Sequence, residues 1–319
     1  MSAAMNHVHD HDADHESVYD GLADHGAPGD DSQWAFGTDF EDPLAGVDTT
    51  IADGVDASTL AAYSLMLGDD ALIYSHRLSE WASNAPDLED DIALSNVALD
   101  LLGQARLLLA RAAAADPDVV PSLPDGSPVP PEDALAFFRD DAEFLNLRYV
   151  EPENGDFAVT IARLLVFATY RLALMQRLAA SRDPVLAAVA SKAVKELTYH
   201  RDYAGRWFLT LARGTEESAR RLVAGLALVW PLYDELFVAH PVETRAADEG
   251  IGVDPSGLRA EVDAVLNQVF SRSAVERPEV PAVGPVNRGR GRDGRHTESM
   301  GRLLAEMQVV ARAHPMGQW

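Results

Sequence analysis

Three pairs of polar side chains stand one helical turn apart inside otherwise apolar stretches: His76 with Glu80, Asp100 with Gln104, and Glu196 with His200. At that spacing the two members of a pair share one helix face, so each pair suits an ion pair, a proton relay or half of a metal site. A pair of irons held in a helical bundle for oxygen chemistry takes a Glu from each of two helices and a Glu-x-x-His from each of the other two. No Glu in this chain has a His three residues on. Glu196 and His200 are one residue too far apart, and Asp100 is followed at the third position by Gly103, which offers no ligand. We therefore assign no metal ligand and no catalytic residue. Glu196 and His200 read as a helix-surface pair aided by Lys192, with a metal ligand as the alternative. Asp100 and Gln104, on a far more apolar helix, read as a hydrogen-bonded core network with Asn96 or an arginine from a neighbouring helix, and His76 with Glu80 reads similarly.

Two further clusters invite a chemical reading. His7, His9, His11 and His15, with Asp10, Asp12 and Asp14, suit loose chelation of a divalent metal, but the surrounding composition reads as a solvated tail. In NRGRGRDGRHTE, Gly289, Gly291 and Gly294 match G-x-G-x-x-G. A dinucleotide fingerprint must follow a strand and open the helix of a βαβ unit, and this run follows Pro281 and Pro285 in a chain without strand patterning. Arg288, Arg290, Arg292 and Arg295 read as a solvated or protein-contacting basic loop, with a phosphate site as the alternative.

The elements that must position these residues are helices. Residues 67–109 read as two amphipathic helices joined by a tight turn, with Leu65, Leu72, Ile73 and Leu78 striping the first and Ile92, Val97, Leu101, Leu102 and Leu108 the second. Asn84, Ala85 and Pro86 end the first, and Asp87 caps the second. The first is expected from Asp56 or Ser58 to Asn84, with Gly68 as a weak point, and the second from Asp87 to Ala115. A Pro-rich loop follows, then a short helix from Glu132 to Glu143 and an extended connector. Asp156 caps a third long helix, apolar around almost its whole circumference, which makes it the central one. Pro184 opens a helix to Arg213, Thr215 one to Ala239 kinked by Pro231, Pro255 one to Arg272, and Thr297 one to His314. The expected fold class is all-α, with residues 1–55 as a disordered acidic His-rich leader and 56–319 as one helical domain.

The chain of 319 residues carries a formal charge of −25 and contains no cysteine. Disulfides, thiolate catalysis and thiolate-held metals are thereby excluded, and nucleic acid or an anionic membrane is disfavoured as a main partner. Sixteen acidic residues precede Arg77, the first basic one. The longest apolar uncharged run, Leu222 to Tyr233, has twelve residues, against ~18–20 for a membrane span. With no basic-then-apolar signal at the N-terminus, the expected location is cytoplasmic.

The strings LGDDALIYSHRLSEWASNAP, LEDDIALSNVALDLLGQARLLL, RDDAEFLNLRYVEPENGDFAVTIAR, SRDPVLAAVASKAVKELTYHRDYAGRW and GRHTESMGRLLAEMQVVARAHPMGQW, in that order, closely resemble the structural C-type components of phenylacetyl-CoA ring 1,2-epoxidases, of the phenylacetic acid catabolic protein family. The resemblance covers roughly Ser58 to Trp319. It implies a ferritin-like helical bundle with a degenerate di-iron site and extra C-terminal helices, in a bacterial multicomponent mono-oxygenase of aerobic phenylacetate breakdown. On that reading Asp100, Glu196 and His200 are remnants of metal positions. The resemblance further implies a catalytic paralogous subunit that holds the di-iron centre, a small bridging subunit, and a reductase with FAD, an iron–sulfur cluster and NADPH, while this chain carries no cofactor. The missing Glu-x-x-His pairs agree with that division of labour. A self-sufficient di-iron oxygenase, an iron-storage protein and a free-standing helical adaptor are the alternatives.

A structural subunit should turn some large apolar residues outward for its partner. The first helix pair, with Tyr63, Leu67, Tyr74 and Trp81, is the expected interface, rimmed by Arg77 and Arg106. Trp319, just after Pro315 and Gly317, is a second candidate.

Overall fold

The computed structural model describes Leu44 and residues 46–317, all of them within one compact unit that runs from Pro43 to Trp319. Among the described residues the only β-type pairing is an isolated bridge between Val286 and Gly289, so the fold is all-α. Two helix hairpins make its centre. In the first, α1 (Ala57–Ser79) packs along α2 (Leu88–Ala115); in the second, α4 (Phe157–Leu178) packs along α5 (Pro184–Arg213). Each helix starts where an aspartate can accept a hydrogen bond from the first turn. Asp56 takes Ser58 N, Asp87 takes Asp90 N, Asp156 takes Val159 N and Asp183 takes Leu186 N. Each such cap is worth ~1 kcal/mol.

The expectation for the central helix holds: in α4 every residue but Phe157, Gln176 and Arg177 is buried. Helix α6 (Glu216–Val229) crosses it at Gly225, where an added Cβ would stand 2.9 Å from the Val159 backbone, and α8 (Arg259–Ser273) packs on it too. Gly68, expected to be a weak point, has a packing reason instead. An added Cβ there would meet Leu109 at 3.0 Å, so the hairpin closes on this glycine.

Other boundaries shift for local reasons. The first helix stops at Ser79, because the left-handed φ of 67° at Ser83 turns the chain toward α2. The short helix α3 covers only Pro131–Phe137; Asp140 and Glu143 then build their own capping box around a 3-10 turn. The helix after Thr215 gives way at Trp230 to a 3-10 segment, Trp230–Phe237, since Pro231 has no N–H to continue the ladder. Helix α7 (Pro241–Asp248) has no counterpart in the sequence reading, and its cap is the Nδ1 of His240. The last helix, α9 (Glu298–Ala313), is close to its expected span.

Two helices, Leu88–Ala115 and Phe157–Leu178, are long and apolar enough to cross a membrane by length and composition. The sequence reading misses this because it requires an uncharged run, whereas both helices carry charges spaced among their apolar residues. In α4 the apolar surface is used up by the protein's own core; α2 keeps one face outside.

The residues just before α1, expected to belong to the leader, lie on the bundle. Val47, Ile51 and Val55 pack against the core, and the Thr49 carbonyl accepts from Arg111 Nη1 at 2.6 Å. These three residues recur every fourth position, but three apolar positions among Asp, Thr and Gly are too short a run to mark an element, which is why the segment looks like tail in the sequence. The His7, His9, His11 and His15 cluster and Trp319 lie outside the described residues.

Candidate functional site

Where the four long helices meet, the core is polar. Arg171 of α4 is fully enclosed; its Nε donates to Gln104 Oε1 on α2 at 3.0 Å and its Nη2 to the Leu67 carbonyl of α1 at 3.2 Å. Gln104 Nε2 in turn donates to Glu196 Oε2 on α5 at 2.9 Å, and Lys192 Nζ lies 3.5 Å from the other oxygen of Glu196. One turn along, His200 Nε2 faces Asp100 Oδ2 at 2.9 Å. Burial pulls the Arg171 guanidinium down to about 10, with the Asp70 charge acting against it, so Arg171 stays a cation at neutral pH.

The structure thus brings Asp100, Gln104, Glu196 and His200 together, with different pairing from that read in the sequence. Glu196 and His200 are not a surface pair: His200 is completely buried and reaches across to Asp100, while Glu196 turns to Gln104 and Lys192. Asn96 is exposed and makes no part of the network, and the arginine is supplied by α4. His76 and Glu80 also part company, since Glu80 pairs with Arg77 at 2.7 Å and accepts from Asn154 at 3.0 Å. Burial, ahead of the Glu80 charge, pushes the His76 imidazole down.

A di-iron centre does not fit these residues. Among the described residues no group of three or more His, Asp or Glu side chains is arranged to hold a metal. The positive charge that would balance Glu196 is already provided by Lys192, and the enclosed cation at the centre is a guanidinium.

Buried arginines hold carboxylates next to the centre as well. Asp70 of α1 accepts from Arg292 Nη2 at 2.8 Å and from Leu147 N at 2.8 Å, and Glu243 of α7 lies 3.3 Å from Arg292 Nε. Burial raises the carboxyl groups of both Asp70 and Glu243 against the pull of Arg292. Asp69 holds Arg139 and Leu145 N, and Glu235 holds Arg148 and, at 3.2 Å, Gly291 N. Glu151 holds His296 Nδ1 at 2.7 Å and Thr297 N at 2.6 Å. The Gly-Arg run is thus a protein-contacting loop at Arg292, while Arg288 and Arg295 stay exposed. It is docked in the core through Arg292, and Gly291 is required because a Cβ there would stand 2.0 Å from the Asn146 carbonyl oxygen. The sequence reading singles out no charged residue of the central helix and so misses Arg171. The signal was there: a charged residue on a helix apolar all round must be buried, and so must be paired.

The expected interface residues point inward. Tyr63 is buried, its hydroxyl accepting from Val253 N at 3.0 Å, and Tyr74 is buried edge-on to Phe167 at 4.7 Å. Leu67 is also enclosed. Trp81 is half-buried, donating to Thr160 Oγ1 at 3.0 Å, and Arg77 lies inside, on the carbonyls of Glu151 and Ser299. Tyr74 faces α4, and Tyr63 faces the Gly252–Val253 loop after α7. The outward apolar face belongs to α2, where Leu88, Ile92, Leu99 and Leu102 are 69%, 54%, 55% and 45% exposed. Ile92 and Leu102, expected to face inward, share this face, and Tyr199 of α5 is exposed as well. Arg106 is on the surface, as expected, 3.6 Å from Glu132.

A family model described as phenylacetic acid catabolic protein matches residues 47–319. The chain belongs to this family. It is also 42% identical, over 262 residues, to the C component of 1,2-phenylacetyl-CoA epoxidase from Escherichia coli (strain K12), a match that covers 82% of this chain and 99% of that protein. The phenylacetic acid catabolic match begins at residue 47, inside the segment that lies on the bundle ahead of α1. Asp100, Gln104, Arg171, Glu196, His200 and the α2 face all fall within both the family match and the compact unit from Pro43 to Trp319.

Proposed function

We propose that this chain is a structural, non-catalytic subunit of a cytoplasmic multicomponent mono-oxygenase that epoxidises the ring of phenylacetyl-CoA. In this reading the fold is a ferritin-like bundle that has given up its metal site, and the chain supports a paralogous subunit that holds the di-iron centre. The complex is completed by a reductase with FAD, an iron–sulfur cluster and NADPH, and by a small bridging subunit. The observation that carries the reading is Arg171: its guanidinium, bonded to Gln104 and the Leu67 carbonyl, stands at the centre of the four helices and takes the role a metal would have. The likeness to a named epoxidase component supplies the substrate class. The outer face of α2 supports a partner, since four large aliphatic side chains on one helix face are costly to leave in water.

In this chain the residues Asp100, Gln104, Glu196 and His200 act on the fold, tying α2 to α5 and both to α4. No reaction step is assigned to them. Metal content after anaerobic loading with ferrous iron and buffer exchange tests the reading, together with co-purification with the catalytic paralogue. The expected result is no dialysis-resistant iron in this chain and a stable complex with the paralogue. About two irons per chain, retained by a protein that begins at Pro43, would overturn it.

A further inference from the structure

Asp90, at the start of α2, is buried and receives two donors on one oxygen: Tyr203 Oη and Trp207 Nε1, both from α5 and both at 2.8 Å. Its other oxygen, Oδ2, is buried without a hydrogen-bond partner. A phenol held on a carboxylate is the arrangement in which removal of an electron from the ring can be matched by movement of the proton along the hydrogen bond. Around this centre the oxidisable side chains form a ladder. Tyr199 stacks on Tyr203 with centroids 6.3 Å apart, and it is exposed to solvent. On the other side Trp207 meets Phe157 at 5.0 Å and Phe157 meets Trp81 at 5.9 Å. Trp81 lines a cleft of about 550 Å³ with Glu80, Glu153 and Arg302, open to dissolved molecules.

We propose that Tyr199, Tyr203, Trp207 and Trp81 form a relay for oxidising equivalents leading from the exposed ring of Tyr199 to this cleft, with Asp90 as the base that takes the phenolic proton of Tyr203. The oxidant is a one-electron acceptor of high potential that reaches Tyr199. An electron passes from Tyr203 through Tyr199 to that acceptor, the Tyr203 O–H bond breaks, and the proton moves to Asp90, leaving a neutral phenoxyl radical beside a neutral carboxyl group. An electron from Trp207, itself refilled through Trp81 by a dissolved reductant such as ascorbate or a thiol, restores the phenolate, and Asp90 returns the proton. The net change is one electron from reductant to oxidant, with the protein unchanged.

Burial raises the Asp90 carboxyl against the hydrogen bonds from Tyr203 and Trp207, which makes it a better proton acceptor than an exposed aspartate. The exposed ring of Tyr199 suits an outlet for stray oxidising equivalents from an oxygenase partner, and this physiological role rests on the reading given under Proposed function. The relay itself does not, so it is tested on the chain alone.

The experiment is flash oxidation of the full chain with a photogenerated ruthenium(III) tris-bipyridyl oxidant, followed by freeze-quenching and electron paramagnetic resonance. A long-lived neutral tyrosyl signal is expected. It should fall several-fold in Tyr203→Phe, which keeps the ring and leaves Trp207 on Asp90, and in Asp90→Asn, which keeps an acceptor but cannot take the proton. Refilling by ascorbate should slow several-fold in Trp81→Phe. Helicity and melting temperature of each variant, unchanged from the parent, separate loss of the relay from loss of the fold. The same signal in Tyr203→Phe as in the parent, or the same refilling rate in Trp81→Phe, overturns the relay; failure of the chain to bind a catalytic paralogue, with the radical behaviour intact, overturns only its role.

Discussion

Arg292 and Asp70 lie 2.8 Å apart although 222 residues separate them, and this pair locks the loop before α9 to the middle of α1. Both side chains are buried, so the pair was assembled at the expense of desolvating two charges, and geometry has to recover that cost. It does so with a second carboxylate at Glu243 and the carbonyls of Met66 and Leu145, both 2.8 Å from Arg292 Nη1.

Removing Arg292 leaves Asp70 and Glu243 buried without their cation. The Arg292→Met variant is expected to lose ~3–5 kcal/mol of stability, the range for breaking one side of a buried pair. Denaturant unfolding followed by circular dichroism measures this. A loss below ~1 kcal/mol, the ceiling for exposed pairs, would show that water reaches the site.

His296 gives the fold a pH-dependent contribution. Burial pushes its imidazole down, but the hydrogen bond and charge of Glu151 and the Phe144 carbonyl outweigh that and hold it above its ordinary value. A base raised in the folded state stabilises fully below its unfolded pKa, ~6.5, and loses the contribution as pH rises through the folded value. The stability difference between the parent and His296→Gln should therefore be largest near pH 6 and shrink steadily above ~6.5. Taking the difference removes the opposite contribution of His76, which burial pushes down in both proteins. A difference that grows toward alkaline pH contradicts the assignment.

The segment ahead of α1 contributes through Val47, Ile51 and Val55 and through the bond from Arg111 to the Thr49 carbonyl. A protein beginning at Asp56 should melt below one beginning at Pro43, by ~2–4 °C for each kcal/mol lost. Equal melting temperatures would return these residues to the leader.

What could be read in the sequence was what local rules decide. Asp87 and Asp156 are cap residues by type and position, and they cap; Asp56, one of two expected starts of α1, caps it too. The all-round apolarity of residues 157–178 marked the central helix. Pairing across the bundle was out of reach. His200 stands four residues from Glu196 yet bonds to Asp100, one hundred residues away, because the partner it meets is set by the packing of α5 on α2 and not by spacing along α5. Arg292 sat in a run whose local composition says exposed loop, and only the long-range contact with Asp70 and Glu243 reverses that. The orientation of α1 failed for a related reason: helical spacing says which residues share a face, not which face meets solvent. Tyr63 and Tyr74 are large and apolar enough to suit either side.

The α2 face therefore replaces α1 as the surface to test. Leu88, Ile92, Leu99 and Leu102 stand outward on one helix, so a charge placed among them meets water in the isolated chain and an apolar partner in the complex. Leu99→Asp should fold with parental helicity and melting temperature, since surface changes of this kind stay within ~0.5 kcal/mol. If Leu99 is at the centre of the contact, binding to the catalytic paralogue should weaken by at least ~2 kcal/mol, about 30-fold in Kd. Tyr74→Asp is the contrasting variant, because its carboxylate would be driven into the contact with Phe167 and the chain should unfold before any partner is added. Affinity measured by surface-immobilised binding, with circular dichroism on each variant, separates the two outcomes. Parental affinity in both Leu99→Asp and Ile92→Asp would remove α2 from the interface.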